Sequence, residues 1–180
     1  MFRNITSVEK NRIDSVLREI CGKDSDALWP DTTMIVIRRK QNHAHTANQQ
    51  TLKVLKTIAE KKREIKALTL EYAGREIGVL TRNLFRVGLE IIQELAPYVT
   101  DRFIVNQAGE TAFLFGKDLS KKHSLTYPKT LTEGKRFIVF SNQGYPLGLA
   151  QLESSSNKIG ATEPFTKNLV DFGYYLRSGG

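Results

Sequence analysis

Three lysines set close behind a glycine are the first group in this chain with types and spacing suited to chemistry. Lys117, Lys121 and Lys122 follow Gly116 in the run Gly116-Lys117-Asp118-Leu119-Ser120-Lys121-Lys122. Ammonium groups in an exposed turn neutralise phosphates as mobile point charges, without reading sequence. A glycine beside them lets the backbone itself come close to an anion. A solubilising lysine turn has the same composition, and the run taken alone favours that reading. Tyr127, Phe137 and Tyr145 offer rings that can stack on unpaired bases. Phe137 belongs to an alternating strand that must fill a core, whereas Tyr145, next to Pro146 at a hairpin tip, is the better exposed of the three.

Other groups read more plainly as structure. His43-Ala44-His45 could be assembled on paper with Asp31 or His123 into a metal site. Such sites need three or four ligands held by defined partners. In a polar stretch beside Gln41 and Asn42, the pair is simpler as an edge strand or loop, and no metal is expected. Cys21 ends a helix with no histidine near it in sequence, which fits a buried small apolar residue better than a nucleophile. No Gly-x-Gly-x-x-Gly follows a strand, and Gly134-Lys135 leads into Arg136 rather than a hydroxyl residue. No cofactor and no catalytic residue are therefore expected.

With 180 residues, the chain has room for one large domain or two small ones. Its 27 basic and 19 acidic residues give a net charge of +8, which favours polyanionic partners because phosphate neutralisation releases counterions. No apolar run approaches the ~20 residues that cross a bilayer. The N-terminus lacks a signal-peptide pattern, and the single cysteine fits a reducing compartment. The expected location is cytoplasmic, or nucleolar in a eukaryotic source.

These side chains need elements to hold them. Thr6-Ser7-Val8-Glu9 is a capping box that opens a helix through Ile13, Val16, Leu17 and Ile20 to Cys21-Gly22. Asp24 to Asp31 reads as a polar loop, and Thr33 to Ile37 as a strand before Arg38-Arg39-Lys40. Asn48 caps a second helix with Leu52, Leu55, Ile58 and Ala59 on one face; Lys61-Lys62-Arg63 lie at its end. Strands are expected over 67–72, 77–80 and 84–88, then a helix from Glu90 to Leu95 that Ala96-Pro97-Tyr98 breaks. The second half opens with the strand Arg102 to Val105 and the turn Asn106-Gln107-Ala108-Gly109. An amphipathic run from Glu110 ends at Gly116, and a hairpin turns at Ser141-Asn142-Gln143-Gly144. The boundary is placed at Pro97, giving residues 1–96 and 97–180, and the fold class is α+β.

The order strand, Gly-Glu-x-Ala-Phe-Leu-x-Gly-Lys-Asp-Leu (109–119), hairpin with Gly-x-Pro-Leu-Gly-Leu-Ala (144–150) resembles the PUA domain, a small β-barrel of RNA-binding proteins. With Leu95-Ala96-Pro97-Tyr98 ahead of it and Asp171-Phe172-Gly173-Tyr174-Tyr175-Leu176-Arg177 behind, the chain resembles the nuclear import protein seven family, archaeal-type, from about Leu84 to Arg177. Over residues 1–83 the likeness is limited to the order of elements and to Tyr72-Ala73-Gly74. The resemblance implies an N-terminal α/β domain followed by a PUA-type β-barrel with a short helix. It also implies a non-catalytic RNA-binding factor of large ribosomal subunit assembly, monomeric when free and not attached to membrane. Implied partners are ribosomal RNA or pre-rRNA and ribosome assembly proteins, with the exosome and other RNA-processing factors as further candidates. The implied RNA contacts are Gly116, Lys117, Lys121, Lys122, Tyr145, Lys167 and Arg177. The chain departs from archaeal relatives at Glu163, Pro164 and Val170, where those carry basic residues around Phe-x-Lys-Asn-Leu, and only Lys167 remains. Two other readings are an RNA-recruiting subunit of a modification or degradation complex, and a protein-interaction adaptor.

Overall fold

The computed structural model describes residues 2–29, 32–38, 41–61, 74–128, 132–154, 160 and 162–178. The expected strand over 67–72 and the clusters at Arg39-Lys40 and Lys62-Arg63 lie outside these residues. The chain divides into two compact units, one of residues 1–18 and 23–88, the other of residues 19–22 and 89–180.

The first unit is an antiparallel meander carrying helices. Strand β1 (Phe2–Asn4) leads into helix α1 (Ser7–Cys21). The box forms as the sequence implies: Thr6 Oγ1 accepts from the Glu9 N–H, and Glu9 accepts from the Thr6 N–H. Arg3 adds a bidentate pair to Glu9 at 2.6 and 2.8 Å, so one carboxylate joins β1 to α1. Beyond Gly22, at φ +72°, the expected polar loop is instead partly helical, as α2 (Ser25–Leu28). Asp24 caps it, and buried Asp14 accepts from both the backbone and the hydroxyl of Ser25 at 2.8 and 2.6 Å. Local carboxylates supplied the partners that the polar composition hid.

Strands β2 (Thr32–Arg38), β3 (Gln41–Ala47), β4 (Arg75–Leu80) and β5 (Phe85–Val87) complete the sheet in the order β1-β2-β3-β4-β5. Helix α3 (Gln49–Lys61) is capped by Asn48 and packs Leu52 and Leu55 against Val36 and Ala47. His43 and His45 correct an expectation. They lie on the central strand β3, buried, with His43 Nδ1 2.8 Å from Glu76 Oε1. Glu76 gives the His43 ring a hydrogen-bond partner that makes its burial tolerable.

The second unit begins with helical turns. A 3₁₀ turn, Leu89–Ile91, runs into α4 (Ile92–Leu95) and a second 3₁₀ turn, Ala96–Tyr98. Pro97 ends the α-helix without ending the helical path, because in a first turn its missing N–H is not needed. Strand β6 (Phe103–Val105), helix α5 (Gln107–Leu114), β7 (Ser124–Thr126), β8 (Arg136–Phe140), β9 (Pro146–Leu152), β10 (Thr166–Asp171) and helix α6 (Tyr174–Ser178) follow. The sheet order is β10-β9-β8-β6-β7, antiparallel except for the parallel pair β6–β8. A bridge between Ser120, just before β7, and Pro164, just before β10, ties the two outer strands together. The interior holds Phe103, Val105, Phe113, Phe137, Val139 and Phe165 among others. Burying each ring contributes roughly 1.5–3 kcal/mol. No helix among the described residues is long and apolar enough to cross a membrane.

Candidate nucleic-acid interface

Two caps position the lysine turn. At the start of α5, the Asn106 side chain accepts from the Gly109 N–H at 2.9 Å. The expected turn at Asn106–Gly109 is therefore the first turn of the helix. The same side chain donates from Nδ2 to the Lys122 carbonyl at 2.7 Å, so one residue holds both the helix start and the basic turn. Gly109 belongs in this helix for a steric reason: a Cβ there would stand 2.8 Å from His123 Cβ.

At the other end, the Gly116 N–H donates to Phe113 and the Lys117 N–H to Ala112, at 2.8 and 3.0 Å. With Gly116 at φ +77° this is the paired C-terminal cap that needs a left-handed residue. Helix α5 therefore stops at a fixed point and Lys117 emerges exposed.

The chain from Asp118 to Ser120 then runs beside β10. Asp118 Oδ1 accepts from the Asn168 N–H at 2.7 Å, and Asn168 Nδ2 donates to the Phe113 carbonyl at 2.9 Å. Thr166 Oγ1 accepts from the Leu119 N–H at 3.0 Å. Exposed Lys117 and Lys167 each precede one end of the Asp118–Asn168 bond, so the segments that carry them run side by side. Lys121 and Lys122 follow on a 3₁₀ turn, Lys121–His123, the first half-buried and the second exposed. His123 Nδ1 accepts from the Ser120 N–H at 3.2 Å, which requires that nitrogen to be bare. Burial pushes the imidazole pKa down, and the nearby Lys122 charge pushes the same way. Two acids sit in this neighbourhood: Asp118, and exposed Glu163, which accepts from the Gly160 N–H one residue before Pro164 meets Ser120.

Arg177 is differently placed. Its guanidinium makes two 2.9 Å contacts with buried Asp171 and donates to the Leu114 carbonyl, a free acceptor at the end of α5. Its charge is thus matched, and it lies over Gly116. Tyr145, 70% exposed, stands at the β8–β9 turn, where its N–H donates to Ser141 Oγ at 3.1 Å. Tyr127 and Phe137 pack in the core instead; Phe137 lies 4.9 Å from Phe103, and Tyr127 stacks 5.9 Å from Phe165. Burial raises the Tyr127 pKa.

Sequence reasoning missed Phe115. It continues the apolar run of α5, yet it is 64% exposed because the helix ends at Leu114 and the chain reverses at Gly116. A ring immediately ahead of a helix-ending glycine was the signal available.

A mixed five-stranded sheet with this helix, cap and strand-to-strand closure defines the second unit as a PUA-type domain. Residues 101–180 match the UPF0113 PUA domain family. A UPF0113 protein of Archaeoglobus fulgidus is 33% identical over 115 residues, spanning 61% of this chain and 64% of that protein's length. Two solved structures share the fold across both units. One is a hypothetical protein of Pyrococcus horikoshii, with TM-score 0.63 and 11% identity over 95% of this chain and 94% of that one. The other is a conserved PUA domain protein of Thermoplasma acidophilum, with TM-score 0.61 and 13% identity over 98% and 97%.

Proposed function

We propose that this protein is a non-catalytic RNA-binding factor of large ribosomal subunit assembly, of the nuclear import protein seven type, with the RNA contact on the PUA-type domain. The observation that carries the RNA reading is the capped end of α5, where Gly116 turns the backbone and Lys117 emerges exposed beside the strand that carries Lys167, with the turn of Lys121 and Lys122 held by Asn106 through the Lys122 carbonyl. The net charge of +8 acts in the same direction. Gly116, Lys117, Lys121, Lys122 and Lys167 contact the backbone of the RNA, and Tyr145 stacks on a base. Arg177 serves this surface by holding α6 on the end of α5. Ribosomal RNA or pre-rRNA and assembly proteins are the partners in this reading. The adaptor reading draws on the exposed ring pair Tyr174 and Tyr175, whose centroids are 6.0 Å apart.

Fluorescence anisotropy on a short single-stranded RNA tests the proposal. With three to five phosphates engaged, log K falls with log salt at a slope of roughly −2 to −3.5. Replacing Lys117, Lys121 and Lys122 together by glutamate is expected to weaken binding by roughly tenfold or more and to leave thermal unfolding near that of the parent. Parent-like affinity in this variant would remove the turn from the interface, and no binding at low salt would leave the adaptor reading.

A further inference from the structure

Beside the lysine turn the second unit carries a groove of about 610 Å³, within the ~300–1,000 Å³ of small-molecule sites. Helix α5 supplies Gln107 and Glu110 to it and Phe115 follows at its end, the β8–β9 turn supplies Asn142 and Gln143, and Arg177 lies along it from α6. The chemistry of this lining is unlike that of the lysine turn. Three of its side chains are neutral amides, each offering both donors and an acceptor. The one cation of the lining is already matched by Asp171 and by the Leu114 carbonyl, and the one anion, Glu110, has no cationic partner among the described residues. A phosphate would meet a carboxylate here and no uncommitted positive charge. A planar, uncharged group with donors and acceptors on its edge suits the lining better, and the exposed ring of Phe115 offers a face on which such a group can stack.

We infer that this groove takes one unpaired nucleobase of the bound RNA and that Glu110 gives it a preference for guanine. The inference rests on the RNA-binding reading above. Guanine presents two adjacent N–H donors on its Watson–Crick edge, N1–H and the N2 amine, which match the two oxygens of a carboxylate. Adenine and cytosine place an acceptor next to their single amine, and uracil flanks its one N–H with carbonyls, so each sets a lone pair against Glu110. The amides of Gln107, Asn142 and Gln143 are then available to O6 and N7. Lys117, one residue past Gly116 at the end of the same helix, stays free for the phosphate of that nucleotide. The lysines thus supply affinity without sequence, and the groove supplies the sequence element.

The test uses the full chain and four RNA strands: an oligouridine, and the same strand with guanine, adenine or cytosine at its centre. Anisotropy at one salt concentration is expected to show the guanine strand bound about fivefold tighter or more than the others. Glu110→Gln keeps the side-chain volume but puts a donor where an acceptor stood, and is expected to bring the guanine strand down to the level of the adenine strand. Lys117→Gln is expected to reduce the salt slope by about 0.7 while the guanine preference persists. Binding of all four strands with equal affinity, or a guanine preference that survives Glu110→Gln, would overturn the inference and leave the RNA reading standing. Failure of every strand to bind at low salt would overturn that reading, and this inference with it.

Discussion

Gly173 shows how single residues set the C-terminal end of the second unit. A Cβ at this position would collide with the Leu114 carbonyl and stand 2.9 Å from Arg177 Nη1. The glycine is therefore what lets the turn into α6 lie against the end of α5, and Arg177 and Asp171 lock that approach. The sequence pattern Asp-x-Gly followed by arginine reads in the structure as one latch: buried acid, close-approach glycine, and a guanidinium that reaches both the acid and a helix-end carbonyl. Gly173→Ala must move one of these backbones. The expected result is a loss of about 2 kcal/mol or more in denaturant unfolding, with weaker RNA binding because Gly116 and Arg177 shift together. Parent-like stability would mean that the close approach is not maintained in solution.

At the scale of elements, side chains from outside a helix decide where it begins and ends. Helix α1 has its first turn held by Thr6, Glu9 and Arg3, and the Arg3 guanidinium, with Thr6 adding hydrogen bonds, holds the Glu9 pKa down to about 2. A carboxylate depressed on folding stabilises above its unfolded value, near ~4.3, and loses that contribution as pH falls toward the folded one. The parent's stability is therefore expected to fall between about pH 4.3 and 2 more steeply than that of Glu9→Gln, read by thermal unfolding at stepped pH. Equal slopes would show that the pair is too well screened to matter. The same scale explains what could be read in advance. The Thr6–Glu9 capping box, the Asn48 cap, the β8–β9 hairpin and the stop at Gly116 were legible because a local residue type carries each. The start of α5 was not, because Asn106-Gln107-Ala108-Gly109 has turn composition and only the approach of His123 makes glycine belong in a helix. His43 and His45 hid a central strand, since the carboxylate that His43 meets there, Glu76, lies 33 residues away. Lys117 and Lys167 could be named, but not the link between the segments that carry them, because 50 residues separate Asp118 from Asn168.

For the whole molecule, the second unit accounts for its own core and begins earlier than the composition break at Pro97. Ile91, Ile92 and Leu95 are fully buried, α4 packs against β9, and Tyr175 Oη lies 3.4 Å from Glu90 Oε1. A fragment starting at residue 97 gives up these three fully buried aliphatic chains, at roughly 1.5–3 kcal/mol each, against a total stability of about 5–15 kcal/mol for a domain. A fragment starting at Leu89 keeps them. Both lack Glu19, whose carboxylate accepts from the Arg136 backbone at 2.6 Å and pairs with its guanidinium. That loss is common to the two and falls on partly exposed groups, so it does not separate them. Residues 89–180 are expected to unfold cooperatively and to bind RNA with the salt slope of the full chain, because Lys117, Lys121, Lys122 and Lys167 are all present. Residues 97–180 are expected to be far less stable or unfolded. Circular dichroism through a urea titration, with anisotropy on the same RNA, distinguishes the two. If both fragments fold equally well, the helical turns at 89–98 do not contribute to this core. If neither folds, the barrel depends on residues beyond the stretch that carries its lysines.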